Sequence, residues 1–195
     1  MAEHYRTLSA VFPVVMRLRR EHKQVLLARR ANTGYMDGKW DFAGSGHVDE
    51  NETAIHAVLR EAREELGIEI REGDVSFAHL SHRLGKNGGR TYYDIYFVVT
   101  RYGGQPYIAE PEKCSDLEWF DVDHLPPDMI PVRRDVLRRY LSGEHYSEVI
   151  EEQFPMDRGH DAEERQTAAL GSPPQNGGNG AGRPAMEEGR RIDNA

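Results

Sequence analysis

The chain has 195 residues, a formal net charge of −8, 38% hydrophobic and 30% charged residues, and a mean hydropathy of −0.72. That length suits one domain, or one domain with a tail, and allows a core without disulfide or metal staples. A single cysteine, Cys114, excludes an intramolecular disulfide, a cysteine-based zinc cluster and an iron–sulfur site. The acidic balance argues against nucleic-acid polymers and anionic membranes as partners. Charges interrupt the N-terminal segment where a signal peptide needs an apolar stretch, and no apolar run reaches membrane-spanning length. A cytoplasmic protein is the expectation.

Residues 9–18 and 24–29, rich in Val, Leu and Phe, read as strands joined by the charged turn RREHK. Residues 40–42 form a short strand after the turn signal NTGYMDG. An amphipathic helix over 53–66 stops at Gly67. Residues 75–84 and 91–102 are β-rich runs joined by GKNGGR, a hairpin loop, and 117–122 is a further strand ended by LPP. Pro131 opens a final helix over 132–141. Strands and helices in this order predict an α/β sandwich with a mixed sheet over residues 1–143. Residues 144–195 read as an acidic, Gly/Pro-rich extension, largely disordered. From Asp157 onward it has no aromatic residue and no Val, too little apolar surface to offset its ordering entropy. Eleven acidic and five basic residues fall in the extension, so most of the net charge of −8 belongs there and the domain is close to neutral.

On the helix, Ile55, Val58, Leu59, Ala62 and Leu66 form one apolar stripe that would face the sheet. Glu61, Glu64 and Glu65 gather on the other side, where they would be exposed. Glu61 with Glu65 at i,i+4 and Glu61 with Glu64 at i,i+3 are neighbours that repel by roughly 0.2–0.5 kcal/mol per pair. A hard dication with oxygen ligands removes that repulsion. Arg60 stands four residues before Glu64, placed to orient a carboxylate. A solvated helix face explains the same charges, and context outweighs it. Ahead of the helix lies GSGHVDENE, whose Gly44 and Gly46 let backbone groups approach a ligand.

Gly46, five residues, Glu52, seven residues and then Arg60-Glu61-Ala62-Arg63-Glu64-Glu65-Leu66-Gly67-Ile68 resembles the Nudix box. An accidental match to that pattern is on the order of one in a million. The likeness extends over residues 7–141, with Trp40-Asp41-Phe42 as the aromatic-led strand before the glycine turn and Trp119-Phe120 followed by Leu125-Pro126. Two departures stand out. Family members often carry Pro-Gly-Gly before the box, where this chain has Ala43-Gly44-Ser45-Gly46, without the Pro and one residue longer. Ala62 is a small choice at the aliphatic position.

The resemblance implies a Nudix-type α/β/α sandwich and hydrolysis of a pyrophosphate bond in a nucleoside diphosphate linked to another moiety, a (d)NTP or related nucleotide first among them. It implies Mg²⁺, with Mn²⁺ as a substitute, on Glu61, Glu64 and Glu65, with a backbone carbonyl near Ser45 or Gly46 completing the set and Glu52 as a structural or peripheral ligand. Glu61 or Glu64, or an acid from a later loop, serves as general base, and Arg60 orients a ligand carboxylate. Glu110, Glu112 and Asp94 are the candidates for a further acid. His47, Lys86, Arg90 and Glu112 are candidate substrate contacts, although loop and turn chemistry also accounts for each. Tyr35, Trp40, Tyr92, Tyr93, Tyr96 and Trp119 offer stacking faces, with core packing the better reading for most. The implied partner is a small nucleotide, and a homodimer is compatible with the family. Two other readings stand beside the hydrolase. A nucleotide-binding regulator usually has a degraded box, whereas this box is intact. An isopentenyl-diphosphate-type isomerase needs a catalytic cysteine, which Cys114 in EKCSDLEW does not match.

Overall fold

A computed structural model describes residues 5–85 and 90–151. The first apolar run forms β1 (Leu8–Arg19), which turns through Arg20 and Glu21, both at positive φ, into β2 (His22–Arg30). Then follow β3 (Trp40–Phe42), β4 (Gly46–His47), α1 (Ala54–Leu66), β5 (Val75–Gly85), β6 (Tyr92–Val99), β7 (Cys114–Asp121), α2 (Pro131–Leu141) and β8 (Tyr146–Glu151). The first eight residues of β1 pair in parallel with β6, from Leu8 opposite Tyr92 to Val15 opposite Val99, and its last four pair antiparallel with β2. β2 in turn pairs with β3 and β7, while β5 joins β6 antiparallel and β8 in parallel. The sheet is therefore mixed, in the order β3-β2-β1-β6-β5-β8, with β4 attached to β1.

Alternation along β1 divides the core between the two faces of this sheet. Ala10, Phe12, Val14 and Met16 pack with Val136 and Leu137 of α2, whereas Val11 and Val15 pack on the side of Ala57, Val58, Ala62 and Leu66 of α1. The helices lie on opposite faces, giving the α/β/α sandwich. α1 starts where the Thr53 hydroxyl accepts from His56 N (3.2 Å) and ends at Gly67, in the left-handed region at φ 63°. Among the described residues no helix is long and apolar enough to cross a membrane.

Two expectations change. Ile55 is exposed and Ala57 is buried in its place, because the first turn of α1 rests on β1 and the segment after β4 through Ala57 with Val11 and Val48. The boundary after Gly143 falls short of β8, which continues the sheet to Glu151. This strand is held by His79, fully buried on β5. Its Nδ1 donates to the Glu144 carbonyl (3.0 Å) and its Nε2 accepts from the Ser147 hydroxyl (2.8 Å). Burial pushes the His79 pKa below its ordinary value. Residues 152–195, read from sequence as disordered, lie outside the described residues.

Charged groups inside the α2 face neutralise one another. Arg133, buried on α2, donates to Asp41 (3.0 Å), Asp94 (2.8 Å) and the Tyr96 hydroxyl (2.6 Å), and its guanidinium lies 3.8 Å from the Phe12 ring centroid. Arg83 on β5 takes Asp94 through Nε (2.7 Å) and Nη2 (3.2 Å). Asp94, considered above as a further acid of the site, is thus fully enclosed in a structural ion network.

Candidate active site

α1 and the Gly44–His47 turn form one assembly around Arg60. The Arg60 guanidinium grips both oxygens of Glu52, Nε to Oε1 (3.0 Å) and Nη2 to Oε2 (2.9 Å), and Nη2 also donates to the His47 carbonyl (3.0 Å). Asp49 N donates to the same Glu52 carboxylate (3.1 Å), so both of its oxygens are engaged and its pKa is held below the usual carboxylate value by Arg60. Nη1 of Arg60 reaches Glu61 (2.6 Å) and Glu64 (3.3 Å). One cation therefore fastens the turn to the helix and aligns two box carboxylates.

Glu61 and Glu65 do not stand on a solvated far face. At about 100° per residue they fall beside Ala57, Val58 and Ala62, on the inward flank of the helix. Glu61 exposes only 12% of its side chain, against 48% for Glu64. A Cβ on Gly46 would overlap the Glu61 carboxyl group, so glycine is required there for the turn to lie against the helix. Burial raises the pKa of Glu61, opposed by Arg60 and reinforced by Glu64 and Glu110. Glu65 is pushed up to about 8, first by burial and then by Glu61 and Glu110, with Lys113 and Arg30 opposing.

Glu110 reaches this site through the segment that follows β6. Tyr107 N and Ala109 N donate to the carbonyls of Leu66 and Glu65 (both 3.1 Å), tying the chain across the last turn of α1. Glu110 then bonds Lys113 Nζ (3.0 Å), a neighbour absent from the sequence reading, where AEPEKC gave only the acids. Glu112 is exposed, its carbonyl accepting from Asn32 (3.0 Å). The side chain of His47 lies beside Tyr92, ring centroids 5.9 Å apart, and the Arg83 guanidinium lies 4.6 Å from that ring. Arg90 is exposed, and Lys86 lies outside the described residues. Trp40 and Tyr96 are buried in the core, and Trp119 is covered by Arg17 at 4.1 Å. Burial raises the pKa of the Cys114 thiol, which donates to Asp116 O (3.3 Å).

Among the described residues, no group of three His, Cys, Asp or Glu side chains is arranged to hold a metal ion in this conformation. Arg60 here provides the positive charge for Glu61 and Glu64. The donor chemistry nevertheless fits a hard divalent cation: Glu61 and Glu65 are drawn off water, repel each other and Glu110, and offer only oxygen.

A sandwich that sets a carboxylate-lined helix against a glycine turn belongs to a class that comparison identifies. The NUDIX domain family model matches residues 10–140, and the chain belongs to the Nudix family. The 8-oxo-dGTP diphosphatase of Escherichia coli (strain K12) is 30% identical over 118 residues, covering 59% of this chain and 87% of that protein. The NAD-capped RNA hydrolase NudC of Stutzerimonas stutzeri (strain A1501) is 27% identical over 137 residues, 70% of this chain and 44% of the relative. The chain thus spans less than half the length of that relative. A MutT NUDIX hydrolase from Burkholderia pseudomallei shares the fold at a TM-score of 0.59, with 24% identity over 69% of this chain and 98% of that one.

Proposed function

We infer that this protein hydrolyses the pyrophosphate bond of a nucleoside triphosphate or related nucleotide, using Mg²⁺, or Mn²⁺ in its place, held by Glu61, Glu64 and Glu65 with Glu110 beside them. The observation that carries this reading is the pair Glu61 and Glu65, two carboxyl groups drawn off water, Glu61 against the glycine turn, with a third acid, Glu110, adding to their repulsion. A polyphosphate brings more negative charge, so the acids need a cation to meet it. When bound, the cation neutralises charge on the phosphate oxygens and makes water a better nucleophile at neutral pH. Glu64, far more exposed than Glu61, is the general base, taking the proton of the attacking water. Arg60 and Glu52 keep the turn and its carbonyls against the helix. His47 and Tyr92, whose rings lie side by side, provide a surface for the nucleoside. The intact box supports turnover over a regulatory role without chemistry.

A panel of (d)NTPs, oxidised nucleotides, dinucleotides such as NADH, sugar nucleotides and ADP-ribose, chromatographed after incubation with Mg²⁺, tests the reading. The expected result is cation-dependent release of a phosphate or pyrophosphate product from a triphosphate, abolished by EDTA. Glu64→Gln lowers the rate by two or more orders of magnitude, about 10²-fold as for a lost general base. A wild-type rate in that variant, or no cation-dependent cleavage of any substrate, refutes it.

A further inference from the structure

The box helix ends under a strap. Its last two carbonyls, Glu65 O and Leu66 O, accept from Ala109 N and Tyr107 N, and Gly103 exchanges both backbone hydrogen bonds with Glu69 just beyond the helix. Gly104, at φ 88°, bends the segment close over Gly67 O. The Tyr107 ring then occupies the space that a Cβ on Gly67 would fill. Gly67 is consequently glycine for two reasons, its left-handed backbone and the aromatic ring seated on it. Past the strap, the Glu110 carbonyl accepts from Lys113 N (3.0 Å) and Cys114 N (3.1 Å) as the chain enters β7. Glu110 is thereby fixed between the strap on one side and the start of a strand on the other.

Two peptide hydrogen bonds at a helix end contribute only about 0.5–1.5 kcal/mol each. The ring covers the helix end at the point where those bonds are made. We propose that Tyr107 is a positioning residue for hydrolysis: seated on Gly67, its ring sets where the strap presents the Glu110 carboxylate against Glu65. Tyr107 is 58% exposed, so it is not a core residue whose loss dismantles the fold. The proposal rests on the reading that Glu110 belongs to the carboxylate site.

The test compares the full chain with Tyr107→Ala, Tyr107→Phe, Glu110→Gln and the double variant Tyr107→Ala/Glu110→Gln. Mn²⁺ binding is read by calorimetry in the absence of substrate, alongside melting temperature and turnover. Tyr107→Ala is expected to weaken Mn²⁺ binding about tenfold, the low end for loss of an outer support, with a small change in melting temperature. Tyr107→Phe keeps the ring and restores binding. The double variant is no weaker than Glu110→Gln alone, because one residue acts through the other. Wild-type binding in Tyr107→Ala beside weakened binding in Glu110→Gln overturns the proposal, as do losses that multiply in the double variant. Wild-type binding in Glu110→Gln instead removes Glu110 from the site and the proposal with it. Should Tyr107→Ala fail to fold, Tyr107→Leu, which keeps apolar cover on Gly67, is measured against the same outcomes.

Discussion

Replacing Glu65 by glutamine should stabilise the cation-free protein while impairing its chemistry. Glu65 ionises near 4.5 in an unfolded chain and at about 8 in the fold, where burial, Glu61 and Glu110 oppose its charge. Between those values the native state holds a proton that the unfolded chain has lost, so stability falls as pH rises from 4.5 towards 8. At about 1.4 kcal/mol per pKa unit, the penalty at neutral pH is up to about 3 kcal/mol, and relaxation of the site brings the expectation to about 1–3 kcal/mol. Glutamine has nearly the same shape and no charge to lose.

Urea unfolding of wild type and Glu65→Gln in EDTA, at several pH values from about 5 to 8, reads this directly. The two curves should nearly coincide at the acid end and separate as pH rises, with the variant more stable. Adding Mg²⁺ should reverse the order, because the wild type gains RT ln(1 + [Mg²⁺]/Kd) and the variant gains less. A variant that is less stable throughout, or a difference independent of pH, refutes the placement of Glu65 on the inward flank of α1.

Gly46→Ala drives a methyl group into the Glu61 carboxyl and should lower kcat about tenfold or more with a small change in melting temperature; an unchanged kcat would show that Glu61 moves aside freely. Arg133→Met leaves Asp41 and Asp94 without their shared partner and should cost about 3–5 kcal/mol in urea unfolding. A neutral outcome there would mean that Arg83 and Arg30 suffice for the two aspartates. His79 is held neutral by burial, with a folded pKa below its ordinary 6.5, so the native state resists a proton that the unfolded chain accepts. Stability is therefore full above 6.5 and is lost as pH falls through it towards the depressed folded value. His79→Gln should flatten that part of the unfolding profile, and an unchanged slope would assign it to other groups.

Elements whose apolar residues alternate or recur over many positions were legible in the sequence: β1, β2, β5, β6 and both helices lie within a few residues of their expected spans. β8 was not. Its six residues open a polar stretch, and what makes them a strand is a partner far back in the chain, with His79 reaching Ser147 across 68 positions. The buried network was equally hidden, because Asp41, Arg83, Asp94 and Arg133 are each ordinary charges until four separate elements bring them together. At the site, box spacing placed Glu61, Glu64 and Glu65 on one helix, and charge alone then suggested a solvated face. The geometry of the helix pointed the other way: its apolar stripe flanks Glu65, and the glycine turn lies against the Glu61 carboxyl.

On the proposed reading, that inward placement divides the work among the acids. A carboxylate left in water would bind a cation weakly, since water screens both partners. Glu61, which lies against Gly46, and Glu65 are both drawn off water, and on this reading a divalent ion relieves the resulting instability of their charge. Glu64 stays exposed to solvent beside Arg60, and Glu52 is consumed by Arg60 in holding the turn. Four glutamates of similar intrinsic chemistry thus acquire different tasks from burial and hydrogen bonding alone. If Glu61 and Glu65 hold the cation as proposed, the fold stores in them a destabilisation that binding removes, and a Glu65 substitution that impairs the chemistry is expected to strengthen the cation-free protein.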